Sequence, residues 1–520
     1  MRVASIQTPA FDLSQYKEAL HYMLAKIDEA ASLDPKLIVV PECAYPSYYL
    51  GSSEVHLHEA MNLVEDVIDS IKYKAIKYKT YIAFGLVVKE NNKLFNRGIL
   101  LDPSGNQVGH VNKSFMWHFD SDWFSTEESA NIVETPYGKW GLIICADGRM
   151  PEIVRNLALQ GVDLVIDLAN LTSTGQIKEQ LTNAQSNFML STRALENNVW
   201  LVMADKIGIE ARTVTYSGRS SIIGPTGEII AEASPHQEEI IHADIDVTNR
   251  PGKLPLRKPT TYQALTEKIE TLPCSQIYNE EVIPSNLVIQ GSTVQFFYGN
   301  KAEYMKQAEF FIQTLEKQLT DVIVLPHSTE EIQPSTIQAA INMDETIVFF
   351  STTEKQTLTL YAVTRKSLTK YDKIHVTDEE LLHYHPGQNY KVFETSKGNI
   401  GVMIGEDGLF PEVARILSLH GADCIVWINE MDPINQEKVA RTRAAENKVF
   451  VLTASQLNCC ENTSSMIIDP NGNIIAATLK NTEQACSTQM PLVLSRCKNI
   501  VPKTNAIFHR TPEKYHRLLN

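Results

Sequence analysis

Three residues in this chain have side chains suited to acyl chemistry, and each stands at the edge of a predicted element. Cys145 ends the apolar run WGLIIC and is followed by ADGRM and then Pro151. The run predicts a strand and the next residues a turn. Pro151 predicts a helix start, because a missing N–H costs least in a first turn. A cysteine at that elbow sits at the carboxyl end of a strand and near the amino end of a helix, whose field favours a thiolate. Taken alone, a cysteine in an apolar run is more often an inert core thiol. Glu42 closes a second apolar run, KLIVVPEC. It reads either as a capping acceptor or as a general base aimed at the same mouth. Lys113 lies in the polar stretch GHVNKSF, where a solvated surface lysine is the plain reading. Cys43 rivals Cys145 as a nucleophile, but the adjacent Glu42 charge would raise its pKa.

A long internal repeat organises these residues. GLIICADGRMPEIVRNLALQGVDLVI at 141–166 is answered by GVMIGEDGLFPEVARILSLHGADCIV at 401–426. From position 145 onward, nine of 22 residues agree without a gap: Asp-Gly, Pro-Glu, an arginine, two leucines, a glycine and an aspartate. Lys113 and Lys373 each precede the variable position by 32 residues (145 − 113 = 405 − 373). Downstream, TRALENNVWLVMA matches TRAAENKVFVLTA, and SSIIGPTGEIIA matches SSMIIDPNGNIIA. The chain therefore reads as a first copy over 1–250, a linker over 251–286 and a second copy over 287–520. Lys113 recurs at the same spacing, which weakens its surface reading. Cys145, by contrast, faces Gly405, and His327 in VIVLPHS stands where Glu42 does.

The elements that must position these residues alternate. Apolar runs such as KLIVVP, TYIAFGLVV and VDLVIDLA predict strands buried on both faces, and QYKEALHYMLAKIDEAA and PEIVRNLALQG predict helices. The class is α/β or α+β, with helices outside packed sheets. GPTGE and DPNGN predict hairpin turns, and Cys459-Cys460 reads as packing.

Bulk properties exclude several functions. The 520 residues carry a formal net charge of −15 without a basic block, which disfavours nucleic acid and anionic membrane as partners. No apolar run approaches the roughly 20 residues of a membrane helix, and the start lacks a signal-peptide pattern. Eight cysteines without a CxxC fit reduced thiols in a cytoplasm. No phosphate loop or dinucleotide fingerprint occurs, and the His383-Tyr384-His385 cluster lacks ligand spacing, so no cofactor and no metal are expected.

In that order, VVPECAYP, GHVNKSF and LIICADGRMPEIVRNLALQGVDLVI resemble the three signature blocks of the nitrilase, or carbon–nitrogen hydrolase, superfamily. The third block is closest to the aliphatic amidase and formamidase branch. The resemblance spans the chain as two copies. It implies two tandem αββα sandwiches packed as an intrachain pseudo-dimer, the second copy serving as a built-in partner, with further homo-oligomerisation left open. It also implies Cys145 as nucleophile, Glu42 as general base, Lys113 as the oxyanion-stabilising cation and the Ala146 backbone N–H as a second oxyanion donor. The expected reaction is hydrolysis of a small linear amide to carboxylate and ammonia through a thioester. The alternatives are a pseudoenzyme or ligand-binding protein, and an acyltransferase using the same cysteine.

One departure concerns the substrate. The amidase branch places a second glutamate eight residues after the lysine, where this chain has Ser121. Asp120 and Asp122 flank it, and Glu127 and Glu128 follow. Ser121, Asp120 and Asp122 are the candidate substrate-positioning residues. The second copy lacks both nucleophile and base, so only the first is expected to be catalytic.

Overall fold

The computed structural model describes residues 1–127, 131–175, 177–250, 256–278, 286–457 and 462–520. The expected packing of Cys459-Cys460 and the candidate Glu128 lie outside them. The chain divides into two compact units, Met1–Gly252 with Val501–Thr504, and Lys253–Ile500 with Asn505–Asn520.

In the first unit, one sheet runs in space through Lys206–Ile207, Arg2–Pro9, Leu37–Val39, Tyr81–Glu90, Lys93–Leu101 and Gln107–Asn112, and Glu239–Asp244 also pairs with Arg2–Pro9. A second sheet runs through Ile229–Glu232, Ser221–Ile223, Trp200–Ala204, Leu164–Leu168, Gly138–Ile144 and Ile132–Thr135. The central strands of both sheets are parallel. Parallel strands bury both faces, which explains their continuous apolar runs.

Alternation along the strands builds two cores. Val3, Leu37, Val39 and Ala83 face inward against Leu142, Ile144, Leu164 and Ile166 of the other sheet. Their neighbours Ala4, Ile6, Ile38 and Phe84 face outward onto Met23, Ile27, Val67 and Ile71 of the helices Tyr16–Ala31 and Val64–Tyr78. Val154, Leu157, Leu190 and Ala194, on the helices Pro151–Ala158 and Leu190–Asn197, pack on the second sheet. The unit is thus an αββα sandwich. GPTGE turns at Gly227, whose φ of 79° is left-handed.

The second unit repeats this plan with two six-stranded sheets. Val322, Val324 and Phe349 meet Val402, Val426 and Leu452 between its sheets. Residues 256–278, within the stretch expected to join the halves, form short helical turns that pack on this unit. Tyr262 and Tyr278 are buried there; Tyr262 bonds His375 Nε2 at 2.7 Å and Tyr278 donates to the Ala422 carbonyl at 2.7 Å. Among the described residues, no helix is long and apolar enough to cross a membrane.

Candidate active site

Glu42, Lys113 and Cys145, far apart in sequence, meet at the carboxyl ends of first-unit strands. Glu42 follows Leu37–Val39, and its backbone crosses the neighbouring strand so closely that a Cβ on Gly85 would lie 2.5 Å from the Glu42 Cα. Gly85 N–H donates to the Pro41 carbonyl at 3.1 Å, and Ala44 N–H to the Gly85 carbonyl at 2.9 Å. A side chain at 85 would push the carboxylate away. Lys113 follows Gln107–Asn112, and its N–H donates to the Asn96 carbonyl at 2.9 Å. The Asn96 amide donates to Glu42 Oε1 at 2.5 Å.

Lys113 Nζ lies 2.8 Å from Glu42 Oε1 and 2.8 Å from Asp120 Oδ2, all three side chains being fully buried. Burial opposes the lysine charge, but Asp120 and Glu42, together with Cys145 whenever it ionises, hold its pKa well above the ordinary value. Burial raises the Glu42 pKa; Lys113 opposes this and the Asp120 charge adds to it. The second oxygen of Glu42 has no hydrogen-bond partner.

Cys145 begins a tight 3-10 turn, Cys145–Arg149, that leads into the helix starting at Pro151. Its φ is 51°, a left-handed conformation that strains a residue with a Cβ. Two side chains fix the strained peptide. Its N–H donates to Asp167 Oδ1 at 2.8 Å, and its carbonyl accepts from Gln185 Nε2 at 2.7 Å. Gln185 opens a π-helical turn, Gln185–Met189, a distortion often found at functional sites. The thiol lies 3.6 Å from the Asn170 carbonyl.

The helix field that favours a thiolate is outweighed here. Burial and the Glu42 charge push the thiol pKa well up, and Lys113 offsets only part of this. The sulfur rests as a thiol and needs a base. The rival Cys43 is also buried, with its pKa raised first by burial and then by Glu42.

Ala146 N–H sits at the start of the 3-10 turn, where the first N–H groups of a helix lack internal acceptors. Among the candidate positioning residues, Asp120 alone reaches the lysine. Its Oδ1 accepts from the Tyr48 hydroxyl at 2.7 Å, and its Oδ2 from Trp117 N–H at 2.9 Å. Ser121, Asp122 and Glu127 are exposed.

Asn96, Tyr48, Asp167 and Gln185 escaped sequence reasoning because no motif marks them. Only the repeat held a signal. In the second unit Lys373 N–H donates to the Leu358 carbonyl, so Leu358 stands in the place of Asn96. Asp167 corresponds to Trp427, whose indole N–H donates to the Gly405 carbonyl at 2.9 Å.

The family profile described as carbon-nitrogen hydrolase matches residues 2–250 and 284–496. A probable nitrilase of Schizosaccharomyces pombe is 28% identical over 247 residues, covering 46% of this chain and 86% of that protein. An omega-amidase of Danio rerio is 27% identical over 231 residues, covering 42% of this chain and 80% of that protein. Among solved structures, an amidase from Nesterenkonia sp. aligns at 20% identity with a TM-score of 0.43, over 48% of this chain and 93% of that one.

Proposed function

Because this chain belongs to the carbon-nitrogen hydrolase family, we propose that its first unit cleaves the C–N bond of a small linear amide through a thioester on Cys145. The observation that carries this reading is the buried Glu42–Lys113–Asp120 cluster beside a cysteine held in a strained elbow.

In the first step Glu42 takes the Sγ proton as sulfur attacks the amide carbonyl. The unpartnered Glu42 oxygen is the available acceptor. Negative charge develops on the carbonyl oxygen, where the Lys113 ammonium and the Ala146 N–H stabilise it. Donors of this kind are each commonly worth about 3 kcal/mol. When the tetrahedral adduct collapses, the C–N bond breaks and Glu42 returns its proton to the leaving ammonia. Glu42 then takes a proton from water, whose oxygen attacks the thioester, and the carboxylic acid leaves as the thiol reforms. Asp120 positions Lys113, one residue before the place where the amidase branch has a glutamate.

The test is ammonia release from a panel of amides, nitriles and carbamoyl compounds, with intact-mass detection of an acyl adduct. Turnover that persists in Cys145→Ala removes the mechanism. Neither turnover nor adduct with any compound supports a ligand-binding protein instead. Hydroxamate formation in the presence of hydroxylamine measures acyl transfer.

A further inference from the structure

The acid that steadies Lys113 is itself held by a loop, and part of what holds the loop comes from the far end of the chain. Asp120 Oδ2 meets Lys113 Nζ at 2.8 Å and accepts the Trp117 N–H at 2.9 Å, while the Asp120 N–H donates to the Trp117 carbonyl at 2.9 Å. The N–H and carbonyl of Trp117 therefore both bind Asp120. The Trp117 ring stacks on Arg149, at the end of the turn that Cys145 begins. Where Trp117 sits decides where the acid sits, and so where the ammonium points.

Residues 113–117 belong to no helix or strand, so side chains must fix their backbone. Asp147 accepts the Ser114 and Phe115 N–H groups at 3.1 and 2.8 Å. The other holder is Thr504, in Val501–Thr504, the stretch of the C-terminal region that groups with the first unit. Its hydroxyl accepts the His118 N–H at 2.7 Å and donates to the Met116 carbonyl at 3.3 Å. One oxygen thus ties down the backbone on both sides of Trp117, and Thr504 is fully buried. His118 has φ 50°, a left-handed conformation that persists only where its surroundings over-determine it. Lys503 beside it reaches both oxygens of Asp122 at 2.7 Å, but that pair is half exposed.

The repeat shows which supports come with the frame. In the second unit Glu380 holds Lys373 and accepts the Thr377 N–H at 2.8 Å, and Asp407 accepts the His375 N–H at 3.0 Å. The acid on the lysine and the aspartate under the loop are therefore present in a copy without a nucleophile. Thr504 is the support that lies outside the sequence of the first copy.

We propose that Thr504 is a positioning residue for the first unit's reaction: by fixing the backbone on both sides of Trp117 it holds Asp120, and through it the Lys113 ammonium, where negative charge develops. This rests on the hydrolase reading above. The first copy's sequence, taken alone, would then lack one part of its own site.

The experiment uses the full chain. Thr504→Val keeps the shape of the side chain and removes the hydroxyl. For the amide that the wild-type protein turns over fastest, kcat is expected to fall by about tenfold to a hundredfold, with KM within about twofold. Thr504→Ser keeps the hydroxyl and should return most of the loss. Lys503→Met breaks the half-exposed pair in the same segment and should leave turnover unchanged. An unchanged kcat in Thr504→Val overturns the proposal, as does an equal loss in Thr504→Ser or Lys503→Met. Where Thr504→Val does not fold, Thr504→Ala is read against the same outcomes; failure of both to fold makes the hydroxyl a folding requirement and also overturns the proposal.

A second measurement, independent of turnover, follows alkylation of Cys145 by iodoacetamide across pH, using peptide mass. Lys113 lowers the Cys145 pKa against burial, Glu42 and Asp167. With the lysine less firmly held, the alkylation profile should move to higher pH in Thr504→Val and return in Thr504→Ser. A profile that stays in place overturns the proposal even where no amide is turned over. A profile that moves in a protein hydrolysing no compound would sink the hydrolase reading and leave the hold of Thr504 on Lys113 standing.

Discussion

At the ends of equivalent strands, Cys145 has φ 51° and Gly405 has φ 50°. The two copies keep the same left-handed elbow, but only the second places there the residue that suits it. A side chain in this region costs about 1–2 kcal/mol, so Cys145 is strained there and Gly405 relaxed. The space has closed as well, since a Cβ on Gly405 would lie 3.0 Å from Lys373 Nζ. That lysine is held by Glu380 at 2.6 and 2.7 Å and by Glu406, which occupies the position of Ala146. His327, in the place of Glu42, has its pKa lowered to about 4, first by burial and then by Lys373, so it is neutral near pH 7. The frame is nonetheless the same. Ile144 N–H donates to Asp147 at 3.1 Å and Ile404 N–H to Asp407 at 3.2 Å. Preserved frame contacts therefore report the fold, and only the lost ones report the chemistry.

The largest expected effect is on the nucleophile. Cys145→Ala should reduce ammonia release by about 10⁴-fold or more, to background. Adding Gly405→Cys to that variant should restore nothing, because Lys373 fills the space and no carboxylate replaces His327. A double variant that forms an acyl adduct at position 405 would break the comparison. Next in size, Lys113→Met should lower kcat by about 10²–10³-fold as an oxyanion donor is lost. Lys373→Met should leave turnover unchanged, and a matching loss there would give the second copy a catalytic part.

Asp120→Asn should lower kcat/KM by about tenfold, the value of one charge-assisted contact. It should also shift the pH profile. Burial and the Asp120 charge both raise the Glu42 pKa. Removing the charge lowers that pKa, so the acid limb of kcat/KM moves to lower pH. An acid limb that stays in place would detach Asp120 from the base. The smallest effects are on stability. Cys145→Gly should stabilise the fold by about 1 kcal/mol and Gly405→Ala should destabilise it by at least about that much, read from denaturant midpoints. Equal signs would mean that the shared φ is not the shared constraint.

Much of this was legible in one sequence because its signals are local. A strand, a turn and a proline in succession place Cys145 at an elbow, and the repeat marks it by contrast with Gly405. Glu42 and Lys113 were legible through the resemblance and the equal spacing. Tyr48, Asn96 and Gln185 were not, because they reach the site from a loop, a strand and a π-turn that no periodicity announces. Arg149 lay in plain view within ADGRM, but only its surroundings distinguish it from the equally buried Arg155, six residues on: Arg155 donates to the Glu196 carbonyl, and Arg149 stacks on Trp117.

The sequence by itself determined the duplication, the strand-elbow-helix that carries Cys145, and which copy has Gly405 and His327 where the other has Cys145 and Glu42. Tertiary structure decided which acid meets Lys113. Residues 120 and 121 begin a single helical turn, where neighbours point about 100° apart, so Asp120 faces the lysine and Ser121 faces solvent. It also decided that Cys145 rests as a thiol, because desolvation and the Glu42 charge outweigh both the Lys113 charge and the helix field. Both outcomes depend on direction and burial in three dimensions, and spacing along a chain fixes neither.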